Sequence, residues 1–138
     1  MVDGPAKAVD LDRTESNRDR VRSFVEVVLV GDDLDSLTEF VDADSYAEHS
    51  PLLADGIDVL REALEAESNS GPHIDYVRLH RVLAEGNFAL SVSEGYSDGA
   101  HTAFYDLFRL EKGKVVEHWG TVEKIAPRSE WKNDNGKF

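Results

Sequence analysis

From residue 73 onward the chain reads as four strand-length segments, at about 73–84, 87–96, 101–111 and 114–125. They are parted by Glu85-Gly86-Asn87, Ser97-Asp98-Gly99 and Lys112-Gly113. Segments of this length with turn residues at this spacing fold as an antiparallel meander. The half before residue 73 has helical spacing instead. Val21, Phe24, Val25 and Val28 form the apolar stripe of a helix that starts near Ser16 or Asn17 and is closed by Gly31. Leu34, Leu37, Phe40 and Val41 mark a short second helix from about Asp35. Ile57, Leu60 and Leu64 mark a third, ending before Ser68-Asn69-Ser70-Gly71-Pro72. Residues 42–50 read as extended, and Ser50-Pro51-Leu52-Leu53-Ala54-Asp55-Gly56 as a loop. Helices followed by strands predict an α+β domain, with three N-terminal helices packed on a curved, mainly antiparallel sheet that encloses a pocket.

The domain is expected over residues 17–126, preceded by a loose arm at 1–16. A tail at 127–138 follows, whose Trp131 and Phe138 dock on the domain or on a partner subunit. A chain of 138 residues suits one such core. With 28 acidic and 15 basic residues, its net charge of −13 opposes nucleic acid and anionic membranes alike. The absence of cysteine excludes a disulfide framework, a thiol nucleophile and a thiolate metal site. No apolar run has the length of a signal peptide or a membrane span, so the reading is a cytoplasmic protein with neither membrane nor nucleic-acid partner.

Chemistry concentrates in Thr102–Thr121. Alternation puts Phe104, Asp106, Phe108 and Leu110 on one face of a strand, so an acid sits in an apolar row. After the turn at Lys112-Gly113, the return strand carries Val116, His118, Gly120 and Val122 on one side. A carboxylate or imidazole held in such a row is paired, neutralised or used. Asp106 is thus either a pocket group or a structural carboxylate paired at the sheet. His118 is either its partner across the hairpin or a packed strand residue. Glu117 and Trp119 fall on the opposite face, where an aromatic row invites a second subunit. His80 and Arg81 fall on opposite faces of one strand by simple alternation. His49, His80 and His118 with Asp106 lack any short metal-ligand motif, and glycine-rich phosphate loops and serine-nucleophile elbows are missing too, so neither metal nor cofactor is expected.

The element order, with Tyr46-Ala47-Glu48-His49-Ser50-Pro51 and the run from Tyr105 to Trp119, resembles the SnoaL-like polyketide cyclase family. That family belongs to the nuclear-transport-factor-like superfamily, whose cone-shaped domain also serves ketosteroid isomerase and limonene epoxide hydrolase. The resemblance implies homodimerisation through the outer sheet face. It also implies that Asp106 corresponds to an acid that, protonated, donates to a developing oxyanion, and that His49, ahead of Ser50-Pro51, takes the place of the base. Two departures stand out. Phe24 falls where the isomerase has a tyrosine, and Gly120 follows His118-Trp119 where the subgroup commonly has an aspartate.

The expected function is therefore cofactor-free proton transfer on a small apolar carbonyl compound, giving cyclisation, aldol-type condensation or isomerisation. His49 would be the base, and neutral Asp106 with His118 would stabilise the enolate oxygen. Tyr46, Phe24, His80, Phe104, Phe108 and Gly120 would surround the ligand. The alternative is a non-catalytic domain that binds a small hydrophobic ligand or serves dimerisation. Convergence of His49 and Asp106 on one point separates the two.

Overall fold

The structure, a computed structural model, describes residues 2–51, 53–65 and 73–138. Leu52 of the expected loop and the expected end of the third helix at 66–72 lie outside the described residues. Helix α1 spans Thr14–Phe24 after a 3-10 turn at Leu11–Arg13, and it continues as a π-helical turn over Val25–Val30. A 3-10 turn at Leu34–Ser36 leads into α2, Leu37–Phe40. The two-residue strand β1, Ala47–Glu48, precedes α3, Ile57–Glu65. The long strands are β2, Ile74–Glu85, β3, Phe88–Ser97, β4, Ala100–Glu111, and β5, Lys114–Lys124. The sheet order is β1-β5-β4-β3-β2, an antiparallel meander extended by β1, which runs parallel to β5. No helix among the described residues is long and apolar enough to cross a membrane.

The stripe read from spacing faces the sheet. Val21, Phe24, Val25 and Val28 are all buried against Val82, Ala89, Phe108 and Leu110. Phe24 meets Phe108 edge-on at 5.6 Å between ring centroids and tilts against Phe40 at 5.8 Å. Rings in this arrangement contribute beyond their buried area, and truncating such a core phenylalanine costs about 3–5 kcal/mol.

Three features differ from the sequence reading. The helix begins at Thr14, ahead of Ser16 and Asn17, and Asn17 is a buried helical residue whose Nδ2 donates to the Gly86 carbonyl at 2.9 Å. The segment expected to be a loose arm is tied down, because Val9 N–H donates to Asn87 Oδ1 and Asn87 N–H to the Val9 carbonyl, each at 2.9 Å. That pairing depends on Gly86, at φ 57°, since a Cβ there would lie 2.1 Å from the Val9 oxygen. Residues 3–8 then lie over Phe88, Leu107 and Trp119 on the outer face of the sheet. Finally, β2 carries register shifts at Tyr76/Arg78 and Leu79/Arg81. Such bulges re-aim side chains. The second breaks the alternation at His80, which turns to Glu94 on the outer face, the same side as Arg81 opposite Val92. The tail folds back on its own domain, where Phe138 stacks on His80 at 4.2 Å and Lys137 pairs with Glu123.

Candidate functional site

The hairpin β4–β5 supplies the centre of the site. Its register places Asp106 opposite Gly120 and Phe108 opposite His118, so the acid and the imidazole share the inner face one step apart. His118 Nε2 donates to Asp106 Oδ1 at 2.8 Å. A Cβ at Gly120 would stand 3.1 Å from His118 Cε1 and 3.5 Å from Asp106 Oδ1, so the glycine leaves the space in which these two groups meet.

Strand β1 completes the array. Its parallel ladder sets Glu48 beside His118, and His118 Nδ1 donates to both Glu48 oxygens, at 2.9 and 3.1 Å. Glu48 also accepts from Tyr46 Oη at 2.6 Å and from Ser50 N–H at 2.8 Å. On the far side, Tyr76 Oη donates to Asp106 Oδ2 at 3.0 Å. The result is a carboxylate–imidazolium–carboxylate row flanked by two phenols. The side chains of Glu48, Asp106 and His118 are 1%, 5% and 16% exposed.

Burial alone would lower the affinity of His118 for its second proton. The hydrogen bonds and charges of Asp106 and Glu48 outweigh it and push the imidazole up to about 10. Burial likewise works against ionised Glu48, but its bonds to His118, Tyr46 and Ser50 leave its carboxyl below the usual value. Desolvation and the neighbouring carboxylates raise both phenols, Tyr76 by Asp106 and Tyr46 by Glu48. Tyrosine hydroxyls held this way stay protonated and donate.

The row forms the floor of a largely apolar cavity lined by Phe24, Leu29, Val41, Tyr46, Leu60, Ile74, Tyr76, Phe108 and Val115, with Glu48 and His118. The cavity has a volume of about 70 Å³. It therefore suits a small ligand.

Of the residues singled out from sequence, Phe24, Tyr46, Phe108 and His118 line this cavity, and Asp106 lies directly behind His118 and Tyr76. Phe104 is buried and packs on Tyr76 at 4.4 Å without lining the cavity. His80 is on the outer face with Glu94 and Phe138, not at the pocket. His49 does not converge with Asp106. It sits on the outer face, stacked on Trp119 at 4.6 Å and hydrogen-bonded to Glu117 at 2.7 Å. Asp106 has both oxygens engaged, by Tyr76 and His118, and is not part of the cavity lining. Glu48 and Tyr76 were missed. Tyr46 and Glu48 are two apart in an extended run, as are Ile74 and Tyr76, and that spacing is the signal that puts each pair on one face. Among the described residues no group of three or more His, Asp or Glu side chains is arranged to hold a metal ion.

The SnoaL-like domain family matches residues 21–118, a span that runs from the first core helix to the imidazole of the row. The chain belongs to this family. None of the curated proteins matches it in sequence. Solved structures share the fold at low identity. A provisionally assigned ketosteroid isomerase from Kribbella flavida is 14% identical with a TM-score of 0.69, over 91% of this chain and 94% of the other. TsrD from Streptomyces laurentii is 19% identical with a TM-score of 0.59, over 77% and 90%. An LEH-like epoxide hydrolase from M. tuberculosis is 14% identical with a TM-score of 0.59, over 80% and 84%.

Proposed function

We propose that this SnoaL-like domain is an enzyme that moves protons on a small, mostly apolar carbonyl compound. The observation that carries the reading is the buried Glu48–His118–Asp106 row at the floor of an apolar cavity. Ionisable groups are expensive to bury, and clusters of them in a cavity mark functional sites. Glu48 replaces His49 as the base, since it is the carboxylate on the cavity lining. It takes a proton from the carbon next to the carbonyl. His118 keeps both its protons, still braced by Asp106. Once Glu48 is protonated, Tyr46 Oη is free to turn from it and donate to the enolate oxygen. Glu48 then returns the proton to a different carbon, which is isomerisation, or the enolate carbon attacks a second carbonyl and Glu48 gives its proton to the alkoxide that forms, which is cyclisation or aldol-type addition. Solved proteins of this fold that carry the names of an isomerase and an epoxide hydrolase support an enzymatic reading.

The test is deuterium exchange. A panel of small ketones is incubated with the protein in D2O, and loss of the α-proton signal is followed by NMR. Exchange that falls about 100-fold or more in Glu48→Gln and persists in His49→Ala supports the mechanism. A second reading, a binding domain without catalysis, is favoured by one observation: both Glu48 oxygens are already engaged. Ligand binding with no exchange above background would establish it.

Homodimerisation through the outer sheet face belongs to the same proposal. Leu83 and Tyr96 on that face are 59% and 43% exposed, outside the part covered by residues 3–8. Sedimentation equilibrium checks it, and a monomer at micromolar concentration would refute it.

A further inference from the structure

The cavity opens into a groove that shares Leu29, Leu64, Ile74 and Tyr76 with it. Two carboxylates, Asp32 and Glu65, rim this groove, whereas Asp75, paired with Tyr96, turns its side chain to the outer face. At the other end, two carboxylates face one imidazolium, so the floor carries one negative charge in excess. No lysine or arginine lines either space among the described residues, and His73 and His118 are their only basic side chains. Arg61, which donates to the Leu34 carbonyl at 2.9 Å, stands beside the rim. Between the two acidic ends the walls are aromatic: Phe24, Tyr46, Tyr76 and Phe108. A low-dielectric slot with one sign of charge at both ends concentrates the opposite charge, and aromatic faces favour cations over anions.

We propose that the cavity takes a small lipophilic cation, a carbonyl compound bearing a protonated amine, with its apolar body between the aromatic walls and its ammonium at the Asp32–Glu65 rim. This rests on reading the cavity as a ligand site. The floor carboxylates are saturated by His118 and the two phenols, whereas the rim carboxylates face solvent and can take an ammonium. The carbonyl end then lies inward, beside Glu48. Carboxylate-bearing ligands are excluded by the same field.

The experiment compares phenethylammonium, phenethyl alcohol and hydrocinnamate, which share a ring and differ in charge, by NMR titration of the intact chain. The ammonium is expected to bind about tenfold or more tighter than the carboxylate, with the alcohol between them. In Asp32→Asn/Glu65→Gln the ammonium falls toward the alcohol, while the alcohol's affinity is unchanged. Equal or tighter binding of hydrocinnamate, with the alcohol still bound, overturns the charge preference and leaves the ligand site standing. Failure of all three to bind, the alcohol included, overturns the ligand site and the preference with it. A preference that survives in the double variant but disappears at about 0.5 M salt belongs to the general charge of the chain and also overturns the proposal.

Discussion

Glu48 and His49 are adjacent in the chain and serve opposite faces of the sheet. Glu48 accepts from His118 on the inner face at 2.9 Å, while His49 bonds Glu117 on the outer face at 2.7 Å. The parallel pairing of β1 with β5 produces this split, since neighbouring strand residues point opposite ways. It decides which of the two can touch a ligand.

Substitutions at the pair are expected to separate accordingly. Glu48→Gln removes one charge from a buried row and should destabilise the fold by about 1–3 kcal/mol, with the His118 pKa falling. His49→Ala loses one hydrogen bond and a ring stack and should cost about 1 kcal/mol, leaving His118 unmoved. Urea denaturation with imidazole NMR reads both, and an unchanged His118 in Glu48→Gln would remove Glu48 from the row.

The pH dependence follows from the same row. His118 is raised from its ordinary 6.5 to about 10, so its contribution to stability is full below about pH 6.5 and is lost as pH rises through about 10. Glu48 is lowered from 4.5, so its contribution is present above that value and is lost as pH falls through its folded pKa. The row therefore contributes most between about pH 4.5 and 6.5. Denaturation midpoints of wild type and His118→Asn across pH 5–10 check this, with the wild type showing the steeper alkaline decline.

Ser91 and Ser93 lie on the inner face of β3, fully buried, and neither hydroxyl has a partner among the described residues. Replacing an unsatisfied buried hydroxyl by hydrogen removes a desolvation cost. Each serine-to-alanine variant is expected to be neutral or more stable by about 1 kcal/mol. A loss above that in the melting curve would reveal a bond that each serine makes.

Asn87 fixes the N-terminal segment by its reciprocal bonds with Val9, and its own carbonyl accepts from Leu110 N–H at 2.8 Å. Asn87→Ala keeps the backbone bonds and removes Oδ1. The expected cost is about 1–2 kcal/mol, with faster amide exchange at Val9 and over residues 3–8. Unchanged exchange there would show that other contacts hold the segment.

The helical stripe of Val21 to Val28, the second helix from about Asp35 and the hairpin were legible because each has a local signature, a 3.6- or 2-residue period ended by a turn, although Val41, read into that helix, is extended and bridged to Val115. The pairing of Asp106 with His118 was legible as one of two alternatives for the same reason. Glu48 was not, because β1 has two residues and owes its existence to a partner some 70 positions away. No period can be read from two residues. His80 was misplaced by a bulge, which leaves no mark in the alternation of the strand that carries it.

Because β1 is so short, the row at the cavity floor is gripped by a clasp rather than by a wall. Opening the pairing at Ala47 and Glu48 would at once withdraw a carboxylate from His118 inside and unstack His49 from Trp119 outside. One small rupture disarms the interior and loosens the exterior together, at a cost below that of unfolding the sheet. The two surfaces of this protein thus share a single fuse.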